Sequence, residues 1–397
     1  MSNLSPTMLL LNLGHALDHL FLLIFATAVG AIAAEFGMAW TDLMPYAAGA
    51  FVLFGLGSLP AGWLGDHWGR RRMMVVFFVG IGAASILVAN TRSPVELAAA
   101  LTLLGAFAAI YHPVGIAMVV QNAKGVGFTI GVNGLAGNLG IALAAILTGV
   151  LVKEFGWRTA FVVPGALSIA CGLLFHLIAE KEREAPAKRA PKLIELPRGL
   201  VARVFAVMTA TAICSSLAFN FTTNGNTALF LERIGGLAAD PAAVGAVLAV
   251  VYAVASLAQL VVGKLIDRYP IRSIYLPIAL LQAPTFYLAA NAQDWAMVAS
   301  ATLFMILVFG QIPFADALVT RYFDDRMRSR VYATRLTISF GASSAAVALL
   351  GPIAKAGGFA SMLELLALIG AATALLVLAL PKDRPAQAAP AVQAASI

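Results

Sequence analysis

Four polar side chains interrupt an apolar stretch near the start of the chain: Asn12, His15, Asp18 and His19. At about 100° per residue on an α-helix they fall within roughly a 120° arc of one face. At about 1.5 Å per residue, His15 and Asp18 lie about 10–17 Å from the start of the stretch, half-way through a bilayer if the stretch spans one. His112, in a later apolar stretch, lies about 15 Å from the end on the same side by the same arithmetic. Ionisable groups at that depth are costly to keep and are functional candidates by default.

Several chemistries fit these residues. A carboxyl group beside two imidazoles can bind and release a proton near neutral pH, because histidine titrates there. Asp18, with His15 or His19, would then be a proton-coupling site. The group could instead hold a substrate by hydrogen bonds, with Asn12 and His112 as contacts. His and Asp at i, i+3 and i+4 could also coordinate a divalent metal, although no Cys or Glu joins them. The plainest alternative is a polar patch that locks one helix to its neighbour.

A second pair, Asp316 and Arg335, sits about 9 Å inside the ends of two consecutive apolar stretches. A buried Arg almost demands a partner, so a salt bridge is expected. It would serve stability or gating, or else Arg335 would meet an anionic substrate or Asp316 a coupling proton. Asn220, Thr222, Thr223, Asn224 and Asn226 are uncharged substrate candidates, or packing groups around a helix break at Gly225. No Gly-Lys-Ser/Thr phosphate loop is present, so ATP is not the expected energy source. No Ser/His/Asp or Cys/His set has a convincing catalytic spacing, and neither an enzyme nor a resident cofactor or metal is expected.

The elements that must position these groups follow from composition. Of 397 residues, 61% are hydrophobic and 11% charged, and mean hydropathy is +0.89. A soluble chain would carry about twice that charged fraction. Apolar runs of about 20 residues recur from end to end, each long enough to cross about 30 Å of hydrocarbon as a helix. Helices must make the crossings, since lipid leaves no partner for open backbone groups. A barrel is excluded because the runs do not alternate with period two. The expected class is an all-α membrane protein with both Cys171 and Cys214 inside spans, so no structural disulfide is expected.

Reading from break to break gives twelve spans. The first six cover 8–34, 42–64, 73–90, 96–122, 127–152 and 158–179; the second six cover 203–231, 240–265, 273–291, 295–321, 330–354 and 358–380. Two six-helix units, 1–179 and 203–380, are thus joined by a charged linker over 180–202 and followed by an Ala/Pro-rich tail over 381–397, expected to be disordered. The first span lacks a basic leader or a small-residue cleavage site and is expected to be retained. Alternate loops hold twenty Lys and Arg on one side, against only Arg92, Lys153, Arg158, Arg233 and Lys355 on the other. That bias places both termini in the cytoplasm, with the chain in a cell inner or plasma membrane. It also accounts for the net charge of +7 without nucleic acid.

The halves repeat one another. After the second span comes Gly62-Trp-Leu-Gly-Asp66-His-Trp-Gly69-Arg-Arg71-Arg72; after the eighth comes Gly263-Lys-Leu-Ile-Asp267-Arg268-Tyr-Pro-Ile-Arg272. Pro113 and Pro313 recur in the fourth and tenth spans. Repeats related by an axis along the membrane normal mark one class of secondary transporter. The pattern resembles the major facilitator superfamily over essentially the whole chain. Gly62, Asp66, Gly69, Arg71 and Arg72 match its signature loop, with His67 in place of the usual basic residue. The second copy keeps Gly263, Asp267, Arg268 and Arg272 but has Pro270 where Gly is usual. The resemblance implies two six-helix bundles rocking about a central cavity, with the signature loops as cytoplasmic latches and a monomer as the usual form. The His15 region, Tyr111-His112-Pro113 and the run 133–140 are similar to fosmidomycin-resistance-type efflux proteins. Leu101 stands where many drug–proton antiporters carry Arg, and the fifth span has Gly134, Gly137 and Gly140 but no Gly-Pro step. Both departures count against simple drug/proton antiport.

The expected function is proton-coupled secondary transport of a small molecule by alternating access, with export favoured. Uptake of an organic anion or nutrient, with Arg335 as anchor, is the alternative within transport. A polytopic membrane enzyme or non-transporting sensor is the alternative from another class.

Overall fold

The structure, a computed structural model, describes residues 5–121, 126–179, 196–236 and 240–382. Most of the expected linker and nearly all of the expected tail lie outside the described residues. The first half comprises α1 (Pro6–Glu35), α2 (Trp40–Leu43), α3 (Ala48–Trp68), α4 (Arg70–Ala89), α5 (Pro94–Ala108), α6 (Ile116–Gln121), α7 (Val126–Phe155) and α8 (Trp157–Ile178). The second comprises α9 (Arg198–Arg233), α10 (Pro241–Arg268), α11 (Ile271–Ala289), α12 (Asp294–Gly310), α13 (Ile312–Tyr322) and α14 (Asp325–Val377). No strand occurs among the described residues.

Local chemistry sets the helix ends. Ser5 caps α1 by accepting the Met8 amide, and Pro6 follows in the first turn, where its missing N–H costs nothing. Pro197 precedes α9 with φ −54°, and the seventh span starts at Arg198, a turn before the expected 203. Among the described residues ten helices are long and apolar enough to cross a membrane. The twelve-span architecture is reached through two further facts. α14 contains a non-helical residue, Gly358, with φ 68°, which splits it into two spans where the sequence places the break. α11 is 19 residues long, and Pro277, Pro284 and Gln282 dilute its hydropathy.

Prolines shape the fourth and tenth spans, since proline removes a backbone donor and crowds the preceding turn. The fourth runs as α5, a π-helical turn over Tyr111–Gly115, then α6. The tenth is divided into α12 and α13 at Gln311, just before Pro313.

The signature loops are also explained by backbone geometry. Gly69 joins α3 to α4 with φ 108°, a conformation open to glycine and disfavoured for L side chains. At the second copy the chain passes through Tyr269 and Pro270, both extended at φ −119° and −57°, so no glycine is needed there. Arg71 donates to the His176 carbonyl near the end of α8. Its counterpart Arg272 donates to the Leu380 carbonyl beyond α14 at 3.1 Å. Each arginine thus answers the unsatisfied carbonyls closing its own half.

The halves meet where α7 packs on α10 and α3 on α14. One large apolar cluster includes residues of both halves, such as Leu43 and Met44 with Leu350 and Phe359. A second belongs to the C-terminal half alone and gathers the terminus-side ends of α9, α10, α11, α13 and α14, from Val204 to Leu380. The halves therefore share a packed interior toward the face away from the termini. Two ion pairs bridge them on that far face, Asp42–Lys355 at 2.6 Å and Lys153–Asp240 at 2.7 Å. They occupy equivalent places in the repeat: an Asp at the entry to the second or eighth span, a Lys at the exit of the fifth or eleventh.

Candidate functional site

The first span and the π-helical turn bring the predicted polar group together. α7 lies against α1 so closely that a Cβ on Gly140 would meet the Ala16 carbonyl oxygen at 2.1 Å, and one on Gly137 the His15 ring at 2.8 Å. Small residues of this kind let membrane helices approach. Of the glycines noted at 134, 137 and 140, the last two seat α1 and His15, while Gly134 faces Gln259.

Around that seat the polar atoms are closely partnered. His15 Nδ1 lies 2.7 Å from the Asn133 carbonyl oxygen, so Nδ1 carries the donated proton and Nε2 is left as an acceptor. Asn133 Nδ2 donates to Asn12 Oδ1 at 2.9 Å and to the Tyr111 hydroxyl at 2.8 Å. That hydroxyl donates to the Leu11 carbonyl at 2.7 Å, and the Tyr111 ring stacks on His15 at 4.8 Å. Asn12, expected as a substrate contact, is engaged by Asn133.

The opposite side of His15 is different. His19 Nε2 stands 3.2 Å from His15 Nε2, and the π-helical turn presents His112 edge-on to both rings, with centroids 5.2 and 5.8 Å away. Asp18 is 0% exposed, and neither of its oxygens has a hydrogen-bond partner. His112 Nε2 stands 3.5 Å from one of them, an ion pair only if the ring is protonated and long for a hydrogen bond. Equal depths computed from helix rise placed Asp18 and His112 at one level, and they meet there. Phe54 links the cluster to the other half, its ring 5.7 Å from His112 and 4.7 Å from Phe340 of α14.

The remaining candidates sort differently. Arg335 and Asp316 pair at 2.9 Å across α14 and α13, and the guanidinium sits 4.8 Å over the Tyr332 ring. The seventh-span group turns inward on its own helix. Thr222 and Thr223 donate to carbonyls one turn earlier, at Ala218 and Phe219; Asn224 donates to Asn220 O and Asn220 to Ser216 O and Ser343 Oγ. Asn226 reaches the Tyr252 hydroxyl at 3.2 Å. α9 runs unbroken through Gly225, which corrects the expected helix break: back-bonding side chains keep the ladder intact. In the signature loop, Asp66 pairs with Arg70 at 3.0 Å, Arg72 lies 6.0 Å from the Trp68 ring, and Gly62 faces Pro113 of the fourth span. Asp267 and Arg268 close the last turn of α10. Cys171 and Cys214 are free thiols.

Sequence reasoning quoted Tyr111 and Asn133 only through resemblance and gave neither a contact. It also did not single out Phe54, Phe340 or Asn138, whose amide donates to Gln259 across the two halves.

The described helices form a polytopic bundle with ionisable groups buried in mid-span. The major facilitator superfamily model matches residues 11–237 and 211–396, and the chain belongs to that family. It is a multi-pass membrane protein. A relative described as "Probable actinorhodin transporter", from Streptomyces coelicolor, is 29% identical over 189 residues, 46% of this chain and 33% of that one. A "Gallate transporter" from Pseudomonas putida is 26% identical over 162 residues, 40% of this chain and 36% of that one. The chain thus spans about a third of the length of these curated relatives. In fold it is similar to a bacterial homologue of the human lysosomal transporter Spinster, solved in an inward-facing and occupied conformation. That match has a TM-score of 0.75 and 16% identity, and it covers 94% of this chain and 96% of that one.

Proposed function

We propose that the protein is a proton-coupled secondary transporter, with Asp18 as the group that carries the proton. The observation that carries this reading is the state of Asp18: fully buried, without a hydrogen bond to either oxygen. An ionised carboxylate so placed would be expensive, whereas a neutral carboxyl group is tolerable. The carboxyl therefore holds a proton while enclosed and releases it when the cavity admits water or a cation. His15 and His19 set the field around it, and Asn12 and His112 border the space left for substrate. Asn220, Thr223 and Asn224 serve chiefly to hold the seventh span, given their back-bonding. Units 1–179 and 203–380 rock about this site, with Gly62, Asp66, Gly69, Arg71, Arg72, Asp267, Arg268 and Asp316 shaping the terminus-side closure. We place the termini in the cytoplasm, the working form as a monomer, and export as the favoured direction. Uptake of an anion on Arg335 is less well supported, because that guanidinium is already matched by Asp316.

The test is Asp18→Asn in proteoliposomes, with gallate as the first probe. Flux driven by a pH gradient should be lost while substrate exchange at equal pH persists. Infrared difference spectra should also lose a protonated-carboxyl band. Unchanged gradient-driven flux and an unchanged spectrum would sink the assignment.

A further inference from the structure

The carboxyl group is not the only unusual feature of this cluster. The facing nitrogens of His15, His19 and His112 all lie within 4.8 Å of one another. Three imidazoles seldom converge in apolar surroundings without a shared task, because each brings a polar atom that lipid and side chains cannot satisfy. Their arrangement has the features of a transition-metal site. His15 holds its Nδ1–H on the Asn133 carbonyl, which is how metal-ligating histidines are usually fixed, with the other nitrogen presented to the ion. Two ligand nitrogens of a tetrahedral ion at a bond length of about 2.05 Å would be about 3.3 Å apart; His15 Nε2 and His19 Nε2 are 3.2 Å apart. His112 is brought alongside by a π-helical turn, a form concentrated at functional positions. The fourth ligand is independently marked. Asp18 has two oxygens with no hydrogen-bond partner, one of them 3.5 Å from His112 Nε2.

We infer that His15, His19, His112 and Asp18 form a binding site for a divalent transition-metal cation at the middle of the membrane. Three nitrogens and one carboxylate suit zinc, cobalt or nickel and disfavour magnesium or calcium, which take oxygen ligands. His19 and His112 are partly exposed, so the site opens on that side rather than being sealed. The step balances simply: the carboxyl O–H bond breaks, the metal–oxygen bond forms, and one proton leaves. The inference rests on the transport reading only in that the cation takes the place of the Asp18 proton, which makes the cation itself the class of cargo.

The competing account is a hydrogen-bonded imidazole pair, with His19 Nε2–H donating to His15 Nε2 and no affinity for metal. Purified full-length protein is titrated with Co(II). One ion per chain is expected, with the intense visible absorption of a four-coordinate site, displaced by Zn(II) and accompanied by release of one proton. His19→Gln and His112→Gln should each weaken binding at least ten-fold, while the far-face variant Lys355→Gln should bind as the parent does. Thermal melting of each variant identifies any that is misfolded. Binding no stronger than that of a His15→Gln/His19→Gln/His112→Gln triple variant would overturn the metal site, and so would wild-type binding retained by both folded single variants. The two readings can fail separately. Proton-driven gallate flux in chelator-washed vesicles with no Co(II) binding removes the metal and leaves the proton reading. Stoichiometric Co(II) binding without proton release keeps the cation and removes the Asp18 proton.

Discussion

At the scale of single residues, the buried polar chain from His15 through Asn133 to Tyr111 and Leu11 fixes what the first span can present. The Tyr111 hydroxyl both donates and accepts there and is fully buried. Tyr111→Phe keeps the ring that stacks on His15 but removes the second hydrogen bond to the Leu11 carbonyl, which keeps its place in the α1 ladder, and strands one Asn133 hydrogen. Hydrogen bonds between membrane helices contribute about 0.6 kcal/mol on average, so a loss on the order of 1 kcal/mol is expected for the pair. Thermal unfolding in detergent measures it; an unchanged melting temperature would show that water replaces the hydroxyl. Asp18, His15, His19 and His112 were legible from sequence because charge inside an apolar run stands out and helix rise gives depth. Asn133 was not, since the group it offers His15 is a backbone carbonyl, which any residue has. The seventh-span amides left two readings open, substrate contact or packing. Their side chains advertise hydrogen bonding, but composition cannot say whether the partner is their own helix, as for Asn224, or a neighbouring one, as for Asn226.

At the scale of elements, α7 is held on α1 by the absence of side chains at 137 and 140. Gly140→Ala would place a methyl 2.1 Å from the Ala16 oxygen, and backbone cannot give way as a side-chain tip does. We expect 1–3 kcal/mol of destabilisation, the usual cost of overpacking. Displacement of His15 should follow, read as weaker Co(II) binding and a lower melting temperature together. A variant with normal stability and normal binding would mean that the two helices separate without cost. The glycine spacing was visible in the sequence, but its partner helix was not, because contacts 120 residues apart leave no local pattern. Span count was legible from hydropathy and loop charge. Even α11, where prolines and a glutamine thin the hydropathy, was read as a span at 273–291 and is formed as Ile271–Ala289.

At the scale of the whole molecule, the far face is closed by a pair of repeat-related ion pairs that the sequence did not reveal. Their Asp and Lys are separated by more than 80 residues in one case and 300 in the other. Lys153 and the Ala243 and Ala242 amides hold the Asp240 carboxyl below the usual carboxylate range. A depressed value means that the contribution to closure is complete above the ordinary carboxylate pKa and fades as pH falls through the lowered one. Nitroxide labels at Glu154→Cys and Gly236→Cys, in a chain lacking Cys171 and Cys214, would report the gap. The distance should stay short at neutral pH and lengthen only in acid, and Asp240→Asn should lengthen it at neutral pH. High salt should act in the same direction, as both pairs are exposed and screened. A distance indifferent to all three would assign closure to the apolar packing between Leu43, Met44, Leu350 and Phe359.

The π-helical turn at Tyr111–Gly115 has a consequence for how such a span can change. It carries more residues per turn than the α-helix on either side, so a single deletion there restores regular winding and leaves α6 nearly unrotated against α5, because five residues of the wide turn and four of an α-helix sweep about the same angle. The side chains within the turn, residue 112 among them, would be re-aimed while those of α5 and α6 keep their places. What this span offers its neighbours is therefore tuned by the number of residues in one turn, and a length change of one can do what otherwise takes several substitutions.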